Sequence, residues 1–389
     1  MSTTQELDDF REHARTVIRE RIVPLFAEAE LSGTFPRAAF AALGAAGLVR
    51  QRWQGGPGGD PVRSVILAEE LARSGAGGVA IGCTLAMEPI VAALRRHGGN
   101  PQLDDTLEQV LDGRQLGCIA ASEPTGGSDL SGVRTTARRE GGGWRIRGEK
   151  KFVSLGPVAD FALVLARTAT EEHPAPPQLG LFCVPASGMR VIKPLRRLGL
   201  SSLSTAWIGI DASVPATALL GRPGLGLVVA THALTFERFA AAAQLTGLSL
   251  RAIELATAHL HRRTQFGRPL LEHQALRLRL ADLAARLTVL RHGVYGAAAG
   301  APGTPALGTR EIAAFKVTAA RFAEEVVGEC MHMFGGMGYL EDETPLARMY
   351  RDVRMARLGG GSDEVMWELV AGGLTPDFAA YDADVAVTP

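Results

Sequence analysis

Cysteine is scarce: the 389 residues hold four, Cys83, Cys118, Cys183 and Cys330, and no two are close enough to make a CxxC pair. That spacing supports neither a zinc cage nor a disulfide framework, and the four read as small buried apolar residues. The histidines offer no metal pair either. His259 and His261, in "HLHRR", lie two apart in a helical pattern and so point about 200° away from each other. Net charge is also missing. The 41 Lys+Arg balance 41 Asp+Glu, so no basic field is directed at nucleic acid or acidic lipid, and neither is an expected partner. No uninterrupted apolar run reaches the ~18–20 residues of a membrane span. The start, "MSTTQELDDF", is acidic and polar rather than basic and then apolar, which makes the cytoplasm the expected location.

What is present is a hydrophobic content of 46%, over a length that suits several domains or one large composite body. Residues 1–115 show apolar positions returning every three or four, as in "DPVRSVILAEELARSG", and predict a helical N-terminal domain. From 116 to 222 the texture changes to short β-rich runs, "TTARRE", "WRIRG", "KFVSL", "FALVLART", "LGLFCVP", "RVIKP" and "TAWIGID", which predict a central β domain. The helical period resumes over 223–373 in long alanine-rich stretches that suit a four-helix bundle. Residues 374–389 carry no strong period and read as a loose tail. The fold class is α+β.

Near the end of the helical region, "RDVRMARLGGGSDEVM" sets Gly359, Gly360 and Gly361 side by side, where each glycine costs a helix roughly 1 kcal/mol relative to alanine. Other motifs are weak singly. "ASEPTGGSDL" concentrates hydroxyls and two glycines where a strand ends, and an ordinary turn accounts for it equally well. "GEKKFVSLG" offers Phe152 as an aromatic wall and Ser154 two positions along the same strand face, or simply a β-strand. "RRTQFGRP" puts Arg263 three residues before Phe266 on one side of a helix end. "MHMFGGMGY" gives Gly335 and Gly336 directly after an apolar helix.

Taken in order and spacing, "ASEPTGGSD", "GEKKFVS", "LRRLGLSSLSTAWIGIDASVP", "RTQFG", "FGGMGY", "YRDVR" and "GGGSDEV" make the chain resemble the acyl-CoA dehydrogenase family of flavoproteins over nearly its whole length. The resemblance implies an α domain, a β domain and an α-helical bundle holding FAD, in a homotetramer or homodimer where one subunit's bundle touches its neighbour's FAD. It places Ala121, Ser122 and Ser128 along the isoalloxazine, Phe152 and Ser154 beside it, and Arg263 and Phe266 on a neighbouring subunit's FAD. His332, Gly335, Gly336, Ser362 and Glu364 fall on its other parts, with Ser128, Arg238 and Gly359 bordering the substrate. Two of these depart from the family's usual residue: Phe152 replaces a tryptophan and His332 a glutamine. The partners implied are an acyl thioester, on coenzyme A or on a carrier protein, and an electron-transfer flavoprotein; no metal is implied.

The larger departure is Gly360, where many members carry the glutamate that removes the α-proton. A subset that includes the long-chain and isovaleryl enzymes carries that glutamate on a bundle helix, directly before an arginine, and "TFERF" puts Glu237 before Arg238. The glycines then clear room for a carboxylate entering from the other side. Nearly uncharged flanks, "LVVATHALTF" and "FAAAAQLTG", predict an enclosed acid that is either paired or raised in pKa. The reaction implied is α,β-dehydrogenation, with Glu237 as base, hydride transfer to flavin N5 and the Gly360 N–H as donor to the thioester oxygen. Flavin monooxygenases on the same fold are the alternative; they need no α-proton base, and Glu237 together with "SEPTGGSD" disfavours them. A helical scaffold that has lost its flavin is a second alternative.

Overall fold

Short polar residues cap two of the N-terminal helices, Thr4–Val17 and Pro61–Arg73. The computed structural model describes residues 3–170, 173–300 and 308–385. The helix Thr4–Val17 opens on Thr3, which shares a reciprocal capping box with Glu6. The helix Pro61–Arg73 opens on Asp60, whose carboxylate accepts from the amides of Val62 and Arg63 at 3.0 and 3.2 Å.

The helix Gly77–His97 differs from expectation. It is long and apolar enough to cross a membrane by composition, with a mean hydropathy of 1.6 in its most apolar window. Glu88 interrupts the run in the sequence, and the fold neutralises it: Arg52 clamps its carboxylate at 2.8 and 2.7 Å, and Ser64 donates to it at 2.7 Å. With 83% of that window buried inside the protein, it is a core helix.

The central region is one sheet. Its strands are β1 (Gly117–Ala120), β2 (Thr136–Glu140), β3 (Gly143–Ser154), β4 (Phe161–Thr170), β5 (His173–Pro185), β6 (Met189–Pro194), β7 (Thr205–Pro215) and β8 (Leu219–Leu220). They lie in the order β6-β7-β3-β2-β4-β5-β8, with β1 also against β4. β1 and β2 run parallel to β4, and the other pairs are antiparallel. "WRIRG" and "KFVSL", two runs in the sequence, are one strand here, broken by a bulge. Lys150 pairs with Ile208 and Val153 with Ala206, so Lys151 and Phe152 together oppose the single residue Trp207.

Three long helices follow, Gly226–Arg262, Gln274–Ala299 and Thr309–Met333, and then the short Gly336–Tyr339, Leu346–Val353 and Asp363–Ala371. The first is 37 residues long, or about 55 Å at 1.5 Å per residue. It is apolar around most of its circumference because the helices Pro61–Arg73, Gly77–His97, Gln274–Ala299 and Thr309–Met333 all pack on it. Gly247 lets one of them come close: a Cβ there would stand 2.5 Å from the carbonyl oxygen of Glu69. Glu69 itself is fully buried and ties the N-terminal helices to the bundle, accepting from Arg11, Arg291 and Tyr295.

The tail is less loose than its sequence suggests. Asp377 accepts from the Ala380 amide at 2.9 Å and caps a helix over Phe378–Asp384; residues 386–389 lie outside the described residues.

Candidate active site

Glu237 and Arg238 sit in the first half of the 37-residue helix, and the turn Gly359–Gly361 faces them. A Cβ added to Gly360 would lie 3.3 Å from Glu237 Oε1 and 3.8 Å from Arg238 Cγ. The turn needs glycine for its backbone as well, since Gly360 and Gly361 have φ of +67° and +106°. Two cations hold it. Arg238 Nε donates to the Gly360 carbonyl at 2.6 Å and Lys316 Nζ donates to the Gly361 carbonyl at 2.5 Å. Directly beyond, Ser362 caps the helix Asp363–Ala371, accepting from the Val365 amide at 3.5 Å, and Glu364 stands exposed in its first turn.

The charges here are enclosed. Arg238 and Lys316 are buried, while Glu237 is half-buried. Burial raises the Glu237 carboxyl above the ordinary carboxylate range, and the positive charges of Arg238 and Lys316 oppose that rise only in part. Burial likewise lowers the Arg238 guanidinium and brings the Lys316 ammonium down to about 8. Asp363, also buried, accepts from Arg357 at 2.7 Å and from Arg321 at 3.4 Å.

A second group gathers where β1 ends. Ala121, Ser122 and Ser128 belong to the loop after β1, and that loop is stapled to β3 by a buried ion pair that the motif reading did not anticipate. Glu123 accepts from the amides of Arg134 and Thr135 at 2.7 and 2.8 Å, from the Thr135 hydroxyl at 2.6 Å and from Lys150 at 2.9 Å. Lys150 also donates to the Ala121 carbonyl at 2.8 Å, and the Lys151 amide to the Ser122 carbonyl at 3.0 Å. Burial alone would raise the Glu123 carboxyl. The Thr135 hydroxyl, the two amides and the Lys150 ammonium outweigh it and hold the group at about 2.

Phe152, on the bulge, is 60% exposed with a φ of +65°. A bulky aromatic residue rarely adopts this left-handed backbone. The bulge also breaks the alternation that would put Phe152 and Ser154 on one strand face; Ser154 returns to register opposite Thr205.

The third group lies at the other end of the long helix, and here the helix-face expectation fails. The helix stops at Arg262, and Phe266 with Gly267 forms the turn of a hairpin in which Thr264–Gln265 pairs with Arg268–Pro269. Both turn residues have positive φ, +53° and +78°, as a two-residue hairpin demands. Phe266 is 93% exposed. His259 stacks on Phe334, ring centroids 4.0 Å apart, and so joins this end to the exposed His332, Gly335 and Gly336. A Cβ at either glycine would meet nothing within 4 Å.

Lys150, Glu123, Lys316 and Asp363 are the members that sequence reasoning missed. A signal existed for Lys316: it falls at helical spacing with Ile312, Ala313 and Ala320, in a stripe that is otherwise apolar and buried.

The chain matches the acyl-CoA dehydrogenase N-terminal domain over residues 4–114, the middle domain over 118–213 and the C-terminal domain over 224–375. It belongs to the acyl-CoA dehydrogenase family. Among its relatives, the acyl-[acyl-carrier-protein] dehydrogenase MbtN of Mycobacterium sp. (strain MCS) is 44% identical over 378 residues, 96% of this chain and 95% of that one. The long-chain specific acyl-CoA dehydrogenase of Sus scrofa is 31% identical over 95% of this chain and 86% of its own length. Butyryl-CoA dehydrogenase from Megasphaera elsdenii superposes with a TM-score of 0.87 at 28% identity, over 96% of this chain and 98% of that one.

Proposed function

We propose that the chain removes two hydrogens from adjacent carbons of an acyl thioester, with Glu237 taking the α-proton. The observation that carries this reading is the Glu237 carboxylate meeting the glycine turn, 3.3 Å from where a side chain at Gly360 would begin. When bound, FAD supplies the acceptor for the departing hydride. The exposed ring of Phe152 and the open backbone at Gly335 and Gly336 fit such a group, and we assign Ala121, Ser122, Ser128 and Ser154 to its ring.

The residues of the chain divide the remaining work. A carboxylate whose pKa is raised by burial is a stronger base than an exposed one. Arg238 fixes the turn through the Gly360 carbonyl. The Gly360 N–H is the donor we assign to the thioester oxygen, a role that needs no side chain. Ser128 and Gly359 border the thioester arm.

We take the arm to be that of a carrier protein, supported by the relatives at 43–44% identity that are acyl-carrier-protein dehydrogenases. The test is flavin bleaching without oxygen by matched acyl thioesters on carrier protein and on coenzyme A, followed by reoxidation with electron-transfer flavoprotein. Bleaching by the carrier-bound form is expected at lower concentration. Bleaching by neither removes the dehydrogenase reading, and a preference for coenzyme A removes the carrier assignment.

The same preparation should release FAD when diluted to monomers. Arg263 lies about 39 Å along the helix axis from Glu237, estimated from its rise per residue, so within one chain the two serve different places. We assign Arg263 and Phe266 to the FAD of a second copy; retention of FAD by monomers would remove that assignment.

The turn itself gives a further prediction. Glu237→Ala combined with Gly360→Glu should recover part of the bleaching rate lost in Glu237→Ala alone, because a side chain at 360 points at the space the carboxylate occupied. Recovery should be incomplete: a left-handed non-glycine residue costs roughly 1–2 kcal/mol, and a misplacement of ~1 Å costs about 100-fold in rate. No recovery in a double variant that still binds FAD and substrate would mean the two positions do not share a target.

A further inference from the structure

Lys316 belongs to none of the roles above, although its side chain is 1% exposed and reaches the middle of the site. An ammonium is an expensive group to bury, and an apolar residue would fill the same stripe of the helix Thr309–Met333 without that penalty. Its position explains why a cation stands there. Nζ donates to the carbonyl of Gly361, the residue after the one facing Glu237. Both Glu237 and Lys316 feel each other's charge.

We propose that Lys316 is a positioning residue for proton abstraction: its ammonium pins the Gly359–Gly361 turn through the Gly361 carbonyl and brings a positive charge to the turn that faces Glu237. The inference rests on Glu237 being the base. Every packed element contributes to the local field. The long helix brings Glu237 and Arg238, the helix Thr309–Met333 brings Lys316 and Arg321, and the C-terminal segment brings Asp363 and Arg357. Asp363 binds Arg357 and Arg321 through Oδ2 and also acts on Lys316, more strongly than Glu237 does, while Arg238 spends its Nε on the Gly360 carbonyl. Arg238 and Lys316 are thus the two cations that lower the Glu237 carboxyl, and Lys316 is the one supplied by a different helix.

The direction follows from the sign of the charge. Removing a cation raises the pKa of the carboxylate beside it, so the pH below which Glu237 is protonated moves up. Lys316→Gln keeps a donor for the Gly361 carbonyl and removes the charge; Lys316→Met removes both. In the FAD-loaded protein, the acid limb of the bleaching rate against pH should move up by about one unit in Lys316→Gln, the lower end of what one nearby charge does. The rate high on the pH plateau and the apparent substrate affinity should stay near normal. Lys316→Met should show the same displaced limb and a lower plateau as well.

A readout independent of turnover is infrared titration of the carboxyl stretch that Glu237→Gln abolishes, which should midpoint at higher pH in Lys316→Gln. If Lys316→Gln keeps the original acid limb and carboxyl midpoint while Glu237→Gln is inactive, the lysine only holds structure and the proposal falls alone. If Glu237→Gln retains turnover, the base assignment falls and takes the proposal with it. Should Lys316→Met fail to fold, the glutamine variant decides by itself.

Discussion

Glu237→Gln is expected to slow substrate-driven flavin bleaching by roughly 10²–10⁴-fold, the range for losing a general base. Glutamine keeps the shape and the ability to accept a hydrogen bond, but it has no affinity for a proton in the accessible pH range. The surroundings should survive the change, because the bonds from Arg238 to the Gly360 carbonyl and from Lys316 to the Gly361 carbonyl do not involve the carboxylate. FAD content and the unfolding midpoint should therefore stay near those of the parent protein. In the parent, activity should fall as pH drops through a carboxyl pKa lying above the ordinary value, since burial raises it. That acid limb should be absent from whatever rate the variant retains. Turnover within a few-fold of normal would eliminate Glu237 as base.

Glu123→Ala should have its effect on the fold rather than on the chemistry. It leaves Lys150, which is 0% exposed, as a buried ammonium without its carboxylate, and withdraws the acceptor from two amides and a hydroxyl. Breaking a buried pair from one side costs about 3–5 kcal/mol. The variant should unfold at much lower denaturant concentration, and FAD should dissociate more readily because the loop carrying Ser122 and Ser128 loses its staple. Lys150→Met added to Glu123→Ala should restore part of the stability, since the uncompensated charge is then gone.

The pH dependence of Glu123 has a definite sign. Its carboxyl falls from an ordinary 4.5 to about 2 in the folded protein, so its contribution is complete above 4.5 and is lost as pH falls toward 2. Denaturant titrations between pH 5 and 2 on the parent and on Glu123→Ala should converge as the pH falls. Parallel curves over that range would show that the ion pair does not set the acid sensitivity.

The order of helical, sheet and helical regions could be read from the sequence because it rests on local signals. Periodicity marks the long helices, and the motifs carry their residues within a few positions of one another. What could not be read depends on contacts between distant segments. The neutralisation of Glu88 by Arg52 turns an apparently membrane-compatible helix into a core element, and no local pattern announces that partner. Lys150 and Glu123 lie 27 residues apart, each inside a motif whose other residues drew the attention. Phe152 was legible as an aromatic, but its left-handed backbone depends on two residues opposing one across the sheet. The hairpin at Phe266 was masked by a basic stretch that reads as helix up to the break at Gly267 and Pro269.

The 37-residue helix that carries Glu237 near its start also ends at the Arg263 hairpin, with no loop between them. It therefore acts as a fixed ruler. One residue inserted anywhere between the two would advance everything beyond it by ~1.5 Å and turn it by about 100°. Arg263 and Phe266 would swing away from their present direction while Glu237 stayed where it is. The length of this span cannot drift, because a single count of residues sets both where the acid stands and where the far end points.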